Sequence, residues 1–364
     1  MLNNKTIAVV VPAYNEEKQI GIVIETMPVF VDRIIVVNDL SSDLTEEKVK
    51  GYIRSKHNHT SLKITKKEIS RTFHNDSEIA LEQFNKKELD FFPKSEIVNS
   101  NAENDRIILI NNLVNTGVGG SIARGYKWCK DNNIDCTAVM AGDAQMDPDE
   151  LESICMPVVY ENIDYVKGNR LIHGSAGFYI PKTRFFGNSL LSIFTKIASG
   201  YWRVSDTQTG YTAISLSALN SIKLYDIYRS YGMPNDMLVR LNIAYCTIRE
   251  VPVKPVYRIG EDSKMKIFKV IPKISFLLFR SFFKRLWTKY FLKDFHPLFI
   301  LYNLSFILGI AWIPYLIKVV RILIQGRNAS FETLLAFTFL GITALQFLVF
   351  AMWMDIQDNE RLYK

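Results

Sequence analysis

Short apolar runs alternate with longer stretches of helical periodicity over the first 260 residues of the chain. The runs are rich in Val and Ile and too short for helices, so they predict buried strands of a sheet that is covered on both faces. Because helices are predicted between the strands, the sheet should be mainly parallel. The predicted strands lie at 6–11, 33–38, 106–111 and 137–140, with helices at 17–27 and about 120–130.

A polar segment at about 52–105 interrupts this alternation. It is rich in Lys, Glu, Asn and Ser and shows little periodicity. It is also too long for an ordinary connection between two elements. We interpret it as an insertion with little regular structure.

Two long apolar segments without charges follow near the C-terminus, at 298–317 and 333–354. Each has about the 20 residues needed to cross the hydrocarbon layer of a membrane. Neither has the polar face that a helix on a soluble domain keeps, which disfavours a pair of buried core helices. The pattern predicts a two-helix transmembrane domain at 297–364, with spans at about 298–324 and 331–354.

The formal net charge of +7 admits a nucleic acid or an anionic membrane as partner, and the placement of the charge decides between them. Residues 264–296 carry nine Lys and Arg and one acid, Asp294, whereas the loop between the spans carries three cations. Cytoplasmic flanks carry the excess of cations, so we expect the N-terminal domain, 1–260, and the C-terminal tail in the cytoplasm. No nucleic-acid partner is expected. The cations are Lys264, Lys266, Lys269, Lys273, Arg280, Lys284, Arg285, Lys289 and Lys293 before the first span, and Lys318, Arg321 and Arg327 after it.

Aromatic and aliphatic residues alternate with these cations over 265–292, within a juxtamembrane segment at 261–296. A basic, aromatic-rich amphipathic stretch is typical of the headgroup layer of a membrane. The alternative is an ordinary helix packed on the soluble domain. On the membrane interpretation, four cations reach lipid phosphates, namely Arg280, Lys284, Arg285 and Lys289.

The cysteines and the N-terminus exclude several classes of protein. The four cysteines show no CxxC spacing and no His at metal-ligand distance, so neither a zinc site nor a disulfide framework is predicted. The first residues lack the apolar stretch of a signal peptide. Membrane insertion is therefore expected to come from the C-terminal segments.

Acidic and small polar residues follow the first two predicted strands, at 12–17 and 38–45. The carboxyl ends of parallel strands form the ligand-binding edge of such a sheet. A carboxylate there can accept hydrogen bonds from a base or a ribose, and Tyr14 can lie against a base. Taken singly, Asn15 and Ser41 or Ser42 are better explained as helix caps, because each precedes a helical segment.

A further predicted strand ends close to two acids, Asp143 and Asp147, and to Gln145. Carboxylate and amide oxygens are ligands that Mg²⁺ or Mn²⁺ prefers. Asp147 precedes Pro148 and is better explained as a helix cap. For Asp143, which has no such role, we favour the metal.

The motifs in these positions resemble those of the family 2 glycosyltransferases, which have a GT-A fold. The resemblance extends over about 7–264, and its downstream part is similar to the branch that glycosylates polyprenyl phosphates, such as dolichyl-phosphate mannose synthase and bacterial polyprenyl-phosphate glucosyltransferases. The segments that carry it are 10–16 (VVPAYNE), 36–39 (VVND), 115–119 (NTGVG), 142–148 (GDAQMDP), 168–170 (GNR), 206–211 (DTQTGY), 235–236 (ND) and 251–253 (VPV), with Arg258, Ser263 and Lys264.

This resemblance implies a GT-A nucleotide-diphospho-sugar transferase fold, a nucleotide sugar and a polyprenyl phosphate as substrates, and a divalent metal ion. A homo-oligomer through the spans is compatible with it. It implies nucleotide-sugar contacts for Pro12, Tyr14, Glu16, Asp39 and Asp143, a Mg²⁺ or Mn²⁺ site at Asp143 and Gln145, phosphate and acceptor contacts for Arg170, Arg258, Ser263 and Lys264, and catalytic positions at Asp236 and Arg170.

Three positions depart from the pattern of that family. Ala141 stands where the metal motif often begins with another acid, so Asp143 lacks a carboxylate partner. Thr212 stands where many relatives have Arg or Lys, which removes a phosphate contact. Asn38 replaces the first Asp of the usual pair, a mild change because Asp39 remains.

The implied reaction is a single displacement that inverts the anomeric carbon of a hexose carried by UDP or GDP. A polysaccharide synthase of the same family is an alternative, but it would need a QxxRW motif, which residues 285–287 (RLW) do not provide, and more spans to form a channel. A second alternative is a non-catalytic, membrane-anchored module that binds nucleotide sugars, for which Ala141 is the best argument.

Overall fold

The computed structural model describes residues 1–55, 70–174, 182–256 and 267–364. Within these residues the soluble part is built on an eight-stranded sheet with the order β3-β4-β2-β1-β5-β7-β6-β8. Strands β4, β2, β1 and β5 run parallel, as do β6 and β8, whereas β3 and β7 run antiparallel to their neighbours. The predicted, mainly parallel sheet is confirmed. The strands are β1 Ile7–Ala13, β2 Arg33–Asn38, β3 Ser95–Ile97, β4 Ile107–Asn112, β5 Cys136–Val139, β6 Tyr165–Asn169, β7 Thr212–Ser215 and β8 Ile248–Pro252.

Helices cover both faces of the sheet. Alternate residues of β1 belong to two separate apolar cores, with Ala8 and Val10 in one and Ile7 and Val9 in the other. This is the two-sided burial that continuous Val/Ile runs predict. The helices of the described chain are α1 Ile20–Glu25, α2 Thr45–Ile53, α3 Asp76–Glu88, α4 Gly117–Asp131, α5 Leu151–Glu161, α6 Lys182–Ser199, α7 Leu216–Ser221, α8 Met233–Ile243, α9 Ile267–Trp287, α10 Pro297–Ile324 and α11 Phe331–Glu360.

The described part of the inserted segment contains a helix, α3, and an edge strand, β3. The prediction of little regular structure is therefore wrong for residues 70–105, while residues 56–69 lie outside the described chain. Helix α3 is held by a polar anchor: the buried Glu88 accepts a hydrogen bond of 2.9 Å from Lys130. Apolar periodicity cannot reveal an anchor of this kind.

The two C-terminal helices, α10 and α11, form an antiparallel pair. Ser305 Oγ donates to Ala344 O over 2.9 Å, and Trp312 Nε1 donates to Phe337 O over the same distance. Both helices are long and apolar enough to cross a membrane. Many of their large apolar side chains are exposed, as expected for helices that face lipid.

Helix α9, which a π-helical turn at Thr288–Lys293 continues, has two different faces. One face packs on the soluble domain, with Leu278 and Phe282 in a core that also holds Val239 of α8. The alternative interpretation, a helix packed on the domain, is thus correct for this face. The other face exposes Phe276 and Phe279.

The prediction that Arg285 and Lys289 reach lipid phosphates is wrong. Both side chains are 1% exposed and form ion pairs inside the protein, Arg285 with Asp355 and Lys289 with Asp358. Their partners lie about 70 residues further along the chain, so the local pattern of charges gave no sign of them. Arg280 and Lys284 are exposed, as contact with lipid requires, and Lys284 also pairs with Asp226 over 3.4 Å.

The C-terminal tail returns to the sheet of the soluble domain. Ile248 N donates to Leu362 O over 2.7 Å, and Lys364 N donates to Ile248 O over 3.0 Å. The tail therefore lies against edge strand β8. The soluble domain and the end of α11 are consequently on the same side of the helix pair.

Candidate functional site

The ends of β1, β2 and β5 bring the first group of predicted site residues to one edge of the sheet. Asp39 N donates to Ala13 O over 2.9 Å, and Gly142 N donates to Pro12 O over 3.3 Å. Pro12 therefore lies in the last two residues of β1, and Asp39 and Asp143 follow the ends of the neighbouring strands β2 and β5. Tyr14, which directly follows β1, is 42% exposed at this edge.

Asn15, Ser41 and Ser42 do not cap helices, so that prediction is wrong. The residues that precede α1 and α2 are Gln19 and Leu44, and neither makes a capping bond through its side chain. Instead Asn15 Oδ1 accepts from Ser42 N over 2.8 Å, and Asn15 N donates to Ser41 Oγ over 3.0 Å. These bonds tie the loops after β1 and β2 together. Glu16 is in the same loop, and its N donates to Thr45 Oγ1 over 2.9 Å.

Asp39 is buried and holds the loop before α4. Its Oδ1 accepts from Asn112 Nδ2 over 2.9 Å and from Thr116 N and Oγ1 over 2.8 Å each, and its Oδ2 accepts from Gly117 N over 2.8 Å. The carboxylate thus satisfies donors at the N-terminus of α4. Asp39 orders the 115–119 motif at the sheet edge, a role that the sequence did not indicate.

The 115–119 motif contacts the segment before α8, and glycine is required there. Gly119 N donates to Arg229 O over 2.9 Å, and a Cβ atom at Gly119 would lie 2.1 Å from Tyr228 O. Tyr228 N in turn donates to Asp236 Oδ2 over 2.9 Å. Asp236, the predicted catalytic acid, is therefore connected to the sheet edge through the backbone of Tyr228 and Arg229.

Asp236 lies in the first turn of α8 and is buried. Besides the bond from Tyr228, its Oδ2 accepts from Arg240 Nε over 2.6 Å. Arg240 also pairs with Asp226 over 3.1 Å. These bonds fix the carboxylate of Asp236 in one orientation.

Asp143 and Gln145 lie in the loop after β5 and are partly exposed. Gln145 N donates to Asp143 Oδ1 over 3.1 Å. Across the described ranges, no three His, Cys, Asp or Glu side chains come together as a metal cage. One carboxylate and one amide oxygen nevertheless fit Mg²⁺ or Mn²⁺ that takes its remaining ligands from a diphosphate and water.

Asp147 caps the turn Pro148–Glu150, as predicted, because its side chain accepts from Asp149 N over 3.0 Å. Its other oxygen pairs with Lys254 Nζ over 3.0 Å. Lys254 N also donates to the carboxylate of Glu150. The chain after β8 is thereby attached beside the loop that carries Asp143.

Arg258, Ser263 and Lys264, predicted phosphate and acceptor contacts, lie outside the described residues.

Arg170 follows β6 and forms a two-pronged ion pair with Asp206. Its Nε lies 2.8 Å from Asp206 Oδ2 and its Nη2 lies 3.0 Å from Oδ1. Burial alone would raise the pKa of Asp206, but the charge and hydrogen bonds of Arg170 lower it. Asp206 therefore stays ionised and holds the guanidinium plane. The sequence marked Asp206 only as part of a motif and not as the partner of Arg170.

Behind this pair lies Lys167, which is fully buried. Its Nζ donates to Thr209 O over 2.7 Å. Burial lowers the pKa of Lys167 to about 8, against the attraction of Asp206 and Glu250. Lys167 lies opposite Thr212 in the β6–β7 register. Thr212 stands where many relatives have Arg or Lys, and in this chain the cation is on the neighbouring strand.

Asn235 links the Arg170 region to Asp236. Gln208 Nε2 and Thr195 Oγ1 each donate to Asn235 Oδ1 over 2.9 Å. Gln208 belongs to the same segment as Asp206, so the 206–211 and 235–236 motifs meet here. The structure thus brings these separate motifs into one connected site.

Comparisons with known proteins agree with this architecture. The model of the family "Glycosyl transferase family 2" matches residues 8–69 and 94–223, which together make up more than half of the chain. The unmatched residues between these ranges hold α3.

Two curated proteins are similar in sequence. A UDP-N-acetylglucosamine–dolichyl-phosphate N-acetylglucosaminyltransferase of Methanococcus voltae is 30% identical over 152 residues, which are 42% of this chain and 60% of that protein. The matched region thus spans about three fifths of the length of that relative. An uncharacterized protein of Methanocaldococcus jannaschii is 25% identical over 258 residues, 70% of this chain and 84% of that one.

Solved structures of glucosyl-3-phosphoglycerate synthase from Mycobacterium tuberculosis, one with UDP and one with Mn²⁺, UDP and glucosyl-3-phosphoglycerate, are also similar. Each has 17% sequence identity and a TM-score of 0.46, and the match covers 78% of this chain and 80% of the synthase. By its mainly parallel sheet and its match to the family model, this chain belongs to glycosyl transferase family 2 and has the GT-A fold.

Proposed function

We propose that the protein is a membrane-bound inverting glycosyltransferase that moves a hexose from UDP or GDP to a polyprenyl phosphate. The observation that carries this proposal is that a family 2 domain shares an apolar core with two helices that are long and apolar enough to span a membrane. A lipid acceptor holds its phosphate in the headgroup layer, so its enzyme must work at that surface. The Methanococcus voltae relative is named for transfer to dolichyl phosphate.

The sheet edge is assigned to the donor. Tyr14 is exposed there to lie against the base, with Pro12 at the end of β1 and Glu16 in the loop that follows. Asp143 and Gln145 would hold Mg²⁺ or Mn²⁺, which neutralises charge on the departing nucleoside diphosphate when bound. Asp39 acts by keeping the loop before α4 in place.

The second group of residues is assigned to the acceptor and the reacting phosphates. Arg170, held by Asp206, offers a fixed cation, and Arg258, Ser263 and Lys264 are assigned to the same phosphates. Asp236 orients the sugar or the acceptor and is not a nucleophile.

The chemistry needs positioning more than proton removal. A lipid monophosphate is mostly dianionic near neutral pH, since its second pKa is about 6. One of its oxygens attacks the anomeric carbon, a new C–O bond forms, and the bond to the nucleoside diphosphate breaks with its electron pair leaving on that diphosphate. The cations lower the cost of bringing two anions together.

The test is transfer of labelled sugar to polyprenyl phosphate by the full chain in lipid bilayers, with a panel of UDP- and GDP-linked hexoses. We expect a lipid-linked monosaccharide from at least one donor. Asp143→Asn should lower transfer by about a hundredfold, because it removes a charged metal ligand. The matched control is Asp149→Asn, an exposed acid in the same loop region, which should retain activity.

Two other outcomes contradict the proposal. Growing saccharide chains would identify a polysaccharide synthase. Binding of nucleotide sugar without any nucleotide release in the presence of polyprenyl phosphate would identify a non-catalytic module.

A further inference from the structure

A buried polar cluster lies where the membrane helices meet the soluble domain. We call it the hairpin joint; it consists of Arg285, Lys289, Tyr290, Asp355, Asp358 and Asn359. Arg285 and Asp355 are 1% and 0% exposed. Asp355 and Asn359 belong to α11, the second candidate span. If α10 and α11 only anchored the protein, no buried charge would be needed at this point, because the hydrocarbon layer retains apolar helices by hydrophobicity alone.

Arg285 joins α11 to the C-terminal end of α6. Its guanidinium pairs with both oxygens of Asp355 over 2.7 and 2.8 Å. It also donates to Ala198 O over 2.9 Å and to Ile197 O over 3.1 Å, the last carbonyls of that helix. A cation suits the negative end of a helix dipole. Gly200 has a φ of +78°, and a Cβ atom there would lie 2.5 Å from Arg285 Nη1, so the chain leaves space for this contact.

Lys289 and Asn359 join α11 to the last turn of α8. Lys289 Nζ donates to Asn359 Oδ1 over 2.6 Å and to Asn242 Oδ1 over 3.2 Å. Asn242 Nδ2 donates to Asn359 Oδ1 over 2.7 Å. Asn242 lies on α8, whose first turn carries Asp236. Thus α6 and α8 both end on the hairpin joint.

The same two helices hold the acceptor side of the site. On α6, Ser192 Oγ donates over 2.7 Å to the carbonyl of Ser205, the residue before Asp206. Also on α6, Thr195 Oγ1 donates to Asn235, the residue before Asp236. A shift of either helix at the joint would therefore move the groups that orient Arg170 and Asp236.

We propose that Asp355 and Asn359 of the second membrane helix are positioning residues for glycosyl transfer. They act through Arg285 and Lys289, which hold α6 and α8 in the arrangement that aligns the acceptor side of the site. The membrane helices then contribute to catalysis by positioning α6 and α8, in addition to anchoring the protein. This inference rests on the proposed function.

The test is Asp355→Asn in the full chain, reconstituted in bilayers with polyprenyl phosphate. This change keeps the size of the side chain and leaves Arg285 without a charged partner. We expect kcat for transfer to fall about tenfold to a hundredfold, because small misplacements near reacting groups have effects of that size. The Kd for the donor nucleotide should stay within about twofold, since the donor edge lies on other elements. The matched control is Glu360→Gln, which removes an exposed ion pair of the same helix with Arg203 and should leave kcat unchanged.

A second variant separates positioning from stability. Arg285→Met combined with Asp355→Leu removes both charges together, and such apolar replacements of a buried pair are often neutral for folding. We expect a thermal stability close to that of the wild type and a kcat that stays low, because the bonds to Ile197 and Ala198 are lost. Recovery of kcat together with stability would overturn the positioning role.

The outcomes also separate this inference from the proposed function. Wild-type protein that transfers sugar, together with an Asp355→Asn variant of wild-type kcat, would overturn the inference alone. Wild-type protein inactive toward every donor would overturn the proposed function, and the inference with it.

Discussion

Lys167 is a lysine whose amino group lies inside the protein. It is fully buried beside the Arg170–Asp206 pair, and burial lowers its pKa to about 8. In the unfolded chain a lysine has a pKa near 10.5. Below pH 8 the folded protein therefore carries a charge that burial disfavours. That penalty disappears as the pH rises from about 8 to 10.5, because the unfolded chain then binds more protons than the folded one.

The first prediction at this scale concerns Lys167→Met. We expect the variant to gain stability relative to the wild type mainly near pH 7, where the buried charge is present. The difference between the two free energies of unfolding should fall by about 2–3 kcal/mol between pH 7 and 10.5. Denaturant unfolding of the purified proteins over this range measures it. The control is Lys18→Met, at an exposed position, for which the free energies of unfolding of variant and wild type should change in parallel with pH. The same parallel change for Lys167→Met would show that the charge of Lys167 is not penalised by burial.

Single residues also show what a sequence can and cannot reveal. The motifs predicted that Asp39 lies at the sheet edge, but its bonds to Thr116 and Gly117 depend on residues 77 and 78 positions away. Arg170 was predicted as a phosphate contact, whereas its partner Asp206 became apparent only from the fold. Types of residue and local order can be predicted from one chain. Pairings between distant residues cannot, because they depend on three-dimensional proximity.

Among the elements, α9 combines two roles that the sequence presented as alternatives. Its buried face packs on α6 and α8, while Phe276, Phe279 and Trp287 are 70%, 63% and 48% exposed on the other. Arg280 and Lys284 accompany them as exposed cations. Exposed aromatic rings beside cations suit the headgroup layer of a membrane. The amphipathic pattern predicted one apolar face for α9. The helix has enough aromatic residues for two apolar faces, one buried against the domain and one exposed.

The prediction for this element is that Arg280→Gln with Lys284→Gln weakens the docking of α9 on anionic lipid. Transfer to long-chain polyprenyl phosphate should fall by up to about thirtyfold in anionic bilayers, since the two surface cations contribute about 1 kcal/mol each there. Donor affinity should not change. The measurement is transfer in anionic and in neutral vesicles, with Lys18→Gln as the control. Equal rates for the double variant and the wild type in anionic vesicles would show that these cations do not dock the domain.

At the scale of the whole molecule, the residues after α11 return to the domain that carries the sheet. Tail residues Leu362 and Lys364 bond to Ile248 of edge strand β8, and Arg249 Nε donates to Lys364 O over 3.0 Å. The antiparallel pair of α10 and α11 places the connecting residues 325–330 at its far end. If the pair spans a membrane, the soluble domain and the C-terminus lie on one side and this loop on the other. The excess of cations before α10 favours the cytoplasm for the domain side.

The last prediction tests this topology with single cysteines. The four native cysteines are buried, so they should not react with a maleimide that cannot cross membranes. Lys18→Cys in the domain and Lys364→Cys in the tail should react together in inside-out vesicles and be protected in intact cells. Arg327→Cys, in the loop between the helices, should show the opposite pattern. Labelling of Arg327→Cys on the same side as the other two would mean that α10 and α11 do not span the membrane, because a helix pair lying on one surface exposes its loop to the same solution as the domain.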